Sequence, residues 1–439
     1  MIITPIKTTT VAGQELVKKL LNRFQENDPT CSRAVSEILA AVRERGDDAL
    51  LEYTRRFDAP NFQKSQLQVT QEEFDRAHTQ VDSAFKETLS LAVERLQFFH
   101  EQELEKSWTM TRDDGVITGR LVRPVAAAGL YVPGGRGGKT PLVSSVLMNG
   151  IPAGIAGVEK RIMVTPPNED GEINPALLVA ASQIGIDQVF KVGSSWAIAA
   201  LAYGTGTIPR VDVIVGPGNQ YVAEAKQQVS GLVGIDMIAG PSEVLIIADS
   251  SAQPSYIAAD MLAQAEHDPQ ALAMLVTTSP ETGAQVVHEL ERQLQELSRR
   301  DIATTALKNR GVILIADDLH EAIDIANKIA AEHLELMIEK PDSWLHAIKH
   351  AGAIFLGDYS PEAAGDYLAG PNHVLPTMGT ARFSSALGVE TFLKKSSIIS
   401  YSRTALLEDG PHIMALANLE GLSAHAKSVE VRMKKEEQD

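Results

Sequence analysis

The sequence predicts an α/β fold with two parallel, wound sheets, and three observations support this prediction. From Gly119 onward, short apolar segments alternate with helical patterns, which is typical of a parallel sheet covered by helices. These segments fall into two successive series, so two α/β modules are expected side by side. The length of 439 residues is also too great for one compact core, which favours two or more domains.

The elements follow one another in a simple order. Residues 13–102 form a charged region dominated by helical patterns, including helices predicted over 35–53 and 83–105. The first series of strands is predicted at 127–132, 161–165, 188–192 and 211–215. The second series is predicted at 243–248, 271–276, 312–315, 334–338 and 353–356. After about Thr391, a short strand and small helices are expected to end the chain.

Composition excludes several classes of protein. A hydrophobic content of 44% is ordinary for a soluble protein, and no apolar run approaches the roughly 20 residues of a membrane helix. The net charge of −17 disfavours nucleic acid and anionic membranes as partners. The single cysteine, Cys31, excludes an internal disulfide and fits a reducing cytoplasm. Residues 1–6 lack the charged start and apolar stretch of a signal peptide, so a cytoplasmic protein is expected.

Two copies of Ala-Glu-His, at 265–267 and 331–333, stand where helical patterns end. Gln264 and His267 are three residues apart on a helix predicted over 256–267, so they share one face. Glu332 and His333 are predicted to close a helix that begins near Leu319. Imidazole, carboxylate and amide oxygen are the ligands of a zinc-type ion, so these clusters indicate a metal-assisted enzyme.

Each cluster also has a purely structural interpretation. A single histidine on a helix is more often a satisfied structural residue than a ligand. A Glu-His pair at the end of a helix is explained by the favourable interaction of histidine with the helix dipole. The chain contains neither His-Glu-x-x-His nor Cys-x-x-Cys, so zinc-protease and zinc-finger interpretations fail.

Two glycine-rich segments resemble nucleotide-binding loops. Residues 216–219 follow an apolar strand and precede a helix, but Tyr221 replaces the last glycine of the dinucleotide fingerprint. Residues 133–140 end in Gly-Lys-Thr like a phosphate-binding P-loop, which makes a nucleotide hydrolase the alternative from another class. Pro133 stands where that motif needs its first glycine, and proline has a fixed φ and no N–H.

Taken together, the motifs resemble those of the histidinol dehydrogenase family over residues 35–432. The most specific stretches are 215–219, 239–243, 264–267, 332–333, 365–377 and 420–425. The resemblance implies a zinc- and NAD-dependent oxidation of L-histidinol to L-histidine through a bound aldehyde. A relative that oxidises another small alcohol, such as a sulfonated diol, is the alternative. Glu420, which suits an ammonium group, and His373 favour histidinol.

The resemblance also implies roles for individual residues. One zinc ion per subunit would be bound by Gln264, His267, Asp366 and His425. His333 would act as the general base in both steps, and Glu332 would activate water for attack on the aldehyde. These four ligands and His333 would contact the substrate together with Ser242, His373 and Glu420.

The implied NAD contacts are less regular. Tyr131 and Asn219 match the family pattern, but Trp196 replaces the glutamine of a Gly-Gly-Ala-Gln stretch. Trp196 is expected to stack on the cofactor instead. Arg136 and Lys139 are further candidates for contacts to its phosphates.

The resemblance finally implies how the domains are arranged. Both α/β domains would be Rossmann-like, with an NAD-binding domain at 131–241 inserted into a substrate- and zinc-binding domain at 26–130 and 242–387. Small arms at 1–25 and 388–439 would intertwine in a homodimer, so that Glu420 and His425 complete the active site of the partner subunit.

Overall fold

The computed structural model describes residues 2–23, 28–134 and 140–434. The chain divides into two compact units. One unit combines the segment up to Glu103 with Val125–Phe392, and the other combines Leu104–Pro124 with the chain from Leu393 onward. Within the described ranges, every helix is either too short or too polar to cross a membrane.

The first hundred residues are mainly helical, as the sequence predicted. A two-residue strand precedes five helices: β1 (Ile6–Lys7), α1 (Val11–Leu21), α2 (Pro29–Arg45), α3 (Asp47–Phe57), α4 (Gln71–Gln80) and α5 (Ser83–His100). Four of these helices begin at a residue whose side chain accepts a hydrogen bond from the first turn: Thr10, Asp28, Thr70 and Asp82. Such caps satisfy N–H groups that have no partner inside the helix.

A short hairpin separates these helices from the first parallel sheet. Its strands are β2 (Trp108–Thr111) and β3 (Ile117–Pro124), which pair antiparallel. Gly119 lies against β2 so closely that a Cβ atom would stand 2.3 Å from the carbonyl oxygen of Trp108.

The five-stranded module is the first of two parallel α/β modules. Its elements are β4 (Ala127–Tyr131), α6 (Val143–Ala156), β5 (Lys160–Thr165), α7 (Pro175–Gln183), β6 (Gln188–Lys191), α8 (Ser194–Tyr203), β7 (Val213–Val215), α9 (Gln220–Val229) and β8 (Gly234–Ile235). The strand order is β6-β5-β4-β7-β8, and all neighbours are parallel.

The six-stranded module follows. Its elements are β9 (Glu243–Ala248), α10 (Pro254–Ala265), β10 (Leu272–Thr277), α11 (Pro280–Gln293), α12 (Arg300–Arg310), β11 (Val312–Ile315), α13 (Leu319–Ile329), β12 (His333–Met337), β13 (Ala353–Leu356) and α14 (Glu362–Tyr367). The order is β1-β11-β10-β9-β12-β13, again with parallel neighbours only. The predicted α/β fold with two parallel sheets is therefore confirmed.

Helices α2 and α3 share their core with the five-stranded module. Val35 of α2 and Leu50 of α3 belong to the same buried cluster as Phe190 of β6 and Leu201 of α8. The family resemblance instead predicted that residues 26–130 belong to the same domain as the six-stranded module. The domain boundaries stay a prediction, but the hydrophobic contacts of this helical region lie with the five-stranded module.

The predicted N-terminal arm packs on its own chain in this structure. Ile6 and Lys7 form an edge strand beside β11, and Leu20 of α1 is buried in the core of the six-stranded module. An additional contact of this segment with a second subunit stays a prediction.

The second unit contains the end of the chain. It comprises β2, β3, β14 (Leu393–Ser400), α15 (Arg403–Leu419) and α16 (Ser423–Met433), and its antiparallel sheet has the order β14-β3-β2. The C-terminal arm predicted from the sequence starts at residue 388. The second unit starts at Leu393 instead, and it also contains the 108–124 hairpin, which was not predicted as part of the arm.

Candidate active site

Glu332 and His333 lie between the end of α13 and the start of β12. Helix α13 ends at Ile329 because Ala330 adopts a left-handed conformation with φ of 52°. The carbonyl oxygen of Glu332 already accepts a ladder hydrogen bond from the N–H of Ala353, at 2.9 Å. The prediction that Glu332 and His333 close a helix was therefore wrong. The backbone of these residues forms hydrogen bonds with the neighbouring strand instead, and His333 is the first residue of β12.

The peptide groups of Glu243 hold both of these side chains. The N–H of Glu243 donates to a carboxylate oxygen of Glu332 at 2.9 Å. The carbonyl oxygen of Glu243 is 3.0 Å from Nδ1 of His333. Since a carbonyl can only accept, Nδ1 carries the proton and Nε2 keeps a free lone pair. The imidazole is thus held in the tautomer that a general base requires.

Burial sets the protonation states of this pair. Burial lowers the pKa of His333 to about 3, so its imidazole is neutral at physiological pH and can accept a proton. Burial raises the pKa of Glu332 well above its ordinary value, and the charges of Glu243 and Asp366 act in the same direction. A carboxylate with a raised pKa is a stronger base, which suits proton abstraction from water.

Gln264 and His267 lie at the end of α10. Gln264 is in the last turn, whereas His267 lies beyond the helix, which ends at Ala265. The predicted helix over 256–267 was therefore two residues too long, although a bond of 3.3 Å from the His267 N–H to the Gln264 carbonyl keeps the two residues together. His267 is exposed and Gln264 is buried.

Glu362 orients the amide of Gln264. With its nitrogen turned toward Glu362, the amide donates to both carboxylate oxygens, at 3.0 and 3.1 Å. This network assigns the orientation of the amide. The side-chain oxygen of Gln264 is then left as the atom that can bind a cation.

Glu362 and Asp366 both project from α14, four residues apart, toward His267. One ligand atom from each of these three residues lies within 4.8 Å of the others. The sequence analysis identified His267 and Asp366 but missed Glu362. A spacing of four residues places two carboxylates on one helix face, and that spacing could have identified Glu362.

These donors fit a zinc ion. Imidazole nitrogen and carboxylate oxygen are zinc ligands, and the buried amide oxygen of Gln264 adds a neutral donor. Burial together with the charge of Asp366 raises the pKa of Glu362 well above its ordinary value, so a cation would relieve a real electrostatic strain here. The structure therefore brings together Gln264, His267 and Asp366, three of the four predicted ligands.

His373 and Ser242 lie in two loops, and these loops contact each other close to both residues. Nδ1 of His373 donates to the carbonyl oxygen of Asp366 at 2.9 Å, and burial lowers the pKa of His373 to about 4. Ser242 follows Gly240, whose N–H donates to Oγ1 of Thr377 at 2.6 Å. A Cβ at Gly240 would stand 1.8 Å from the sulfur of Met378, so any larger residue there would displace that side chain.

A cavity of about 550 Å³ opens beside these groups. His333, Asp366 and His373 line it together with apolar residues such as Phe355 and Leu375. Its size lies in the range of small-molecule sites. The arrangement suits an enzyme that binds a small polar substrate beside a cation and a neutral histidine base.

Comparison with known proteins decides the family. A family model described as histidinol dehydrogenase matches residues 21–433. The chain is 65% identical over 434 residues to histidinol dehydrogenase of Desulfotalea psychrophila, covering 99% of this chain and 100% of the relative. It is 50% identical over 434 residues to that of Oleidesulfovibrio alaskensis, covering 98% and 100%. The crystal structure of histidinol dehydrogenase from Elizabethkingia anophelis superposes with a TM-score of 0.92 at 37% identity and covers 98% of each chain.

The chain belongs to the histidinol dehydrogenase family. The resemblance read from the sequence is thereby confirmed, and with it membership of a family of oxidoreductases. The family does not by itself assign a role to any residue. The roles of Glu332, His333 and the candidate zinc ligands are therefore proposed below.

Two further residues predicted for a histidinol dehydrogenase site lie in the second unit. Glu420 directly follows the last residue of α15, and His425 lies in the first turn of α16. Both residues are exposed in the single chain. Their predicted roles, as substrate contact and zinc ligand of a partner subunit, stay predictions.

The cofactor residues predicted from the histidinol dehydrogenase resemblance gather around the ends of β4, β6 and β7. Tyr131 ends β4, and its hydroxyl accepts from the N–H of Ser194 at 3.2 Å. Asn219 caps α9 by accepting from the N–H groups of Tyr221 and Val222. Gly216 precedes that cap with φ of 114°, and a Cβ there would stand 2.1 Å from the carbonyl oxygen of Tyr131.

Trp196 packs in the core beside α3. Its ring stacks on Tyr53 and Phe57 of α3, with centroid distances of 6.0 and 5.6 Å, and the residue is only 4% exposed. Core packing accounts for this position, and the contact of Trp196 with NAD stays a prediction. Residues 135–139, which include Arg136 and Lys139 and most of the P-loop-like motif, lie outside the described residues.

Proposed function

We propose that this protein oxidises L-histidinol to L-histidine in two NAD-linked steps, with histidinaldehyde held in the site between them. The observation that carries the proposal is the double contact of Glu243 with Glu332 and His333 at the edge of a cavity that also contains Asp366 and His373. Membership of the histidinol dehydrogenase family supports the substrate.

The first step needs a base for the alcohol proton. Nε2 of His333 is unprotonated, since Nδ1 donates to the Glu243 carbonyl, and it accepts the hydroxyl proton of histidinol as a hydride leaves the carbon. NAD, when bound, would supply the hydride acceptor. The products are the aldehyde, NADH and one proton.

The second step needs activated water. Glu332 removes a proton from water, the resulting oxygen nucleophile adds to the aldehyde carbon, and His333 again accepts a hydroxyl proton as the second hydride leaves. One aldehyde, one water and one NAD give histidine, NADH and protons. A buried site that retains the aldehyde prevents its escape between the steps.

The proposed metal is one zinc ion per subunit, bound by Gln264, His267, Asp366 and a partner's His425. Zinc at this position would act as a Lewis acid and as a template for the imidazole and amine nitrogens of the substrate. Gln264 contributes only its oxygen, because Glu362 accepts from its amide nitrogen. His373 and Ser242 are proposed to contact the substrate from the adjoining loops, together with Glu420 of the partner subunit.

The test is a steady-state assay of the purified protein with histidinol and NAD. We expect two NADH per histidinol, about one zinc per chain, and loss of turnover on chelation with the fold retained. Parallel assays with sulfonated diols and other small alcohols serve as the control for substrate class. Faster turnover of one of those alcohols, or full activity after complete removal of metal, would contradict the proposal.

We further propose a cytoplasmic homodimer whose two sites are each completed by the partner subunit. The variants His333→Ala and His425→Ala should each be nearly inactive. After the two are unfolded and refolded together, half of the dimers are mixed, and each mixed dimer has one intact site. About a quarter of the wild-type activity should return, by the symmetry of a two-fold dimer. Verified mixed dimers without any recovered activity would exclude shared sites.

A further inference from the structure

Arg23 forms a buried ion pair with Glu243. Nε of Arg23 is 2.5 Å from one carboxylate oxygen of Glu243, and Nη2 is 2.7 Å from the other. The two side chains are only 5% and 1% exposed. This parallel, two-point geometry fixes the carboxylate in orientation as well as in position.

Arg23 also joins three segments that are far apart in sequence. Its Nη1 donates to the carbonyl oxygen of Leu20 at 2.8 Å, near the end of α1. Its Nη2 donates to the carbonyl oxygen of Ile329 at 3.0 Å, at the end of α13. Ile329 stands three residues before Glu332, and Glu243 is the first residue of β9. One guanidinium therefore fixes both backbone segments that carry the site.

Stability alone is a weak reason for such a pair. Removing two charges from water is expensive, and well-packed apolar residues in place of a buried pair often leave a protein as stable or more so. What the pair does supply is position. The residue whose side chain it fixes is the same residue whose N–H binds Glu332 and whose carbonyl binds His333.

We propose that Arg23 is a positioning residue for the oxidation of histidinol. It holds Glu243 so that the peptide groups of Glu243 keep the carboxylate of Glu332 and the imidazole of His333 in their reactive places. This inference rests on the proposed function of those two residues, and it assigns the segment after α1 a task inside its own chain.

The position of Arg23 predicts a specific kinetic effect. Loosening Glu243 disturbs both peptide contacts at once, so the alcohol and aldehyde steps should slow together. A shift of about 1 Å in a reacting group can lower a rate on the order of a hundredfold. The candidate zinc ligands are held by other contacts, so zinc content and the KM for histidinol should change little.

The test compares two buried ion pairs in the same chain. The variant R23M/E243M removes both charges and leaves neither partner unpaired. The matched control is K191M/E73M, in the five-stranded module. There Lys191 donates to Glu73 at 2.5 Å and to the carbonyl oxygen of Gly171 at 3.1 Å, with side-chain exposures of 3% and 16%. Both double variants lose one buried pair together with its bonds to backbone carbonyls, two for Arg23 and one for Lys191.

We expect R23M/E243M to lose kcat in both steps, on the order of tenfold to a hundredfold, with KM and zinc content within about twofold of wild type. K191M/E73M should keep its kcat. In the single variant R23A, added guanidinium ion should restore part of kcat with saturation, which a general loss of stability cannot produce. Equal kcat losses in the two double variants, or no rescue of R23A, would overturn the proposal.

A crystal structure of R23M/E243M separates this inference from the proposed function. At least one of the two Glu243 peptide contacts should lengthen beyond the roughly 3.2 Å of a good hydrogen bond. Both contacts retained at their present lengths would disprove the positioning role, whatever the enzyme oxidises. Wild-type protein that fails to oxidise histidinol would instead refute the proposed function and leave this structural readout intact.

Discussion

The two α/β modules place their functional groups at opposite ends of their strands. In the six-stranded module, Glu243 begins β9, His333 begins β12, and Gln264 ends the helix that leads into β10. In the five-stranded module, Tyr131 ends β4 and Gly216 directly follows β7. Ligands of open parallel sheets usually bind at the carboxyl ends of the strands, so the six-stranded module departs from the rule.

The helix dipole gives this difference a physical meaning. At the amino ends of parallel strands, the connecting helices arrive with their C-termini, which carry partial negative charge and favour cations. At the carboxyl ends, helices depart with their N-termini, which favour phosphate groups. A site for zinc and an amine therefore suits the six-stranded module, and a site for a dinucleotide suits the five-stranded module.

The largest expected effects come from Glu332 and His333, the proposed catalytic pair at the amino ends. His333→Asn should slow both steps by about 10² to 10⁴-fold, because a general base is needed wherever a hydride departs. Glu332→Gln should slow oxidation of supplied histidinaldehyde far more than oxidation of histidinol to the aldehyde, since only the former consumes water. Rapid-quench measurement of each step provides the comparison.

Zinc content and NAD affinity are the controls for these two variants. Neither should change, because the candidate ligands and the five-stranded module are untouched. Equal losses in both steps for Glu332→Gln would assign Glu332 to something other than water activation. Such a result would also weaken the view that the amino ends supply both bases.

The cofactor loop at the carboxyl ends should respond differently. Gly216→Ala would press a Cβ against the carbonyl oxygen of Tyr131, at 2.1 Å, and displace the loop before α9. We expect the KM for NAD to rise by about tenfold or more, with zinc content unchanged, since a misplaced loop loses contacts that orient the cofactor. Initial rates over a range of NAD concentrations measure this.

Gly231→Ala is the matched control for that variant. Gly231 lies in the same module with φ of 93°, and a Cβ there would have open space around it. It therefore suffers the same kind of backbone strain, of order 1 kcal/mol, without a steric clash. If both alanine variants raised the KM for NAD equally, strain rather than the clash beside Tyr131 would explain the effect.

The sequence predicted the sheets well because their strands are locally distinct. Segments such as Leu245 to Ile247 are apolar and β-branched, and every strand predicted in the two series is present. The packing of α2 and α3 on the five-stranded module joins residues that are far apart in the chain, such as Leu50 and Leu201, in one buried cluster. The periodicity of apolar residues predicts which face of a helix is buried, but it does not predict which other element that face packs against.

The sequence named candidate site residues, but it predicted their local structure only in part. The pattern extending to His333 looked helical, yet the left-handed Ala330 and the pairing of Glu332 with Ala353 start a strand instead. Sheet pairing between distant segments decided that boundary. The contacts of the Glu243 peptide groups with Glu332 and His333 could not be predicted either. Every residue has such backbone groups, so the sequence does not show which of them bind a side chain.

The smallest expected effect on turnover, though not on stability, comes from an acid that the dipole argument makes unfavourable. Asp58 ends α3, and its Oδ2 is a buried oxygen without a hydrogen-bond partner in the described part of the chain. Burial raises the pKa of Tyr131, and the nearby charge of Asp58 acts in the same direction. Burial raises the pKa of Asp58 itself from 3.8 to about 7, so the five-stranded module favours its uncharged form.

The raised pKa predicts how stability should depend on pH. A group whose folded pKa exceeds its unfolded value contributes fully below the unfolded pKa, and the contribution is lost as pH rises through the folded pKa. Asp58→Asn removes this titration. Relative to wild type, its free energy of unfolding should therefore rise between pH 4 and 7 and level off above, by at most about 4 kcal/mol at about 1.4 kcal/mol per pKa unit. Denaturant midpoints across this range measure the difference. Parallel curves for the two proteins would show that Asp58 ionises freely in the fold.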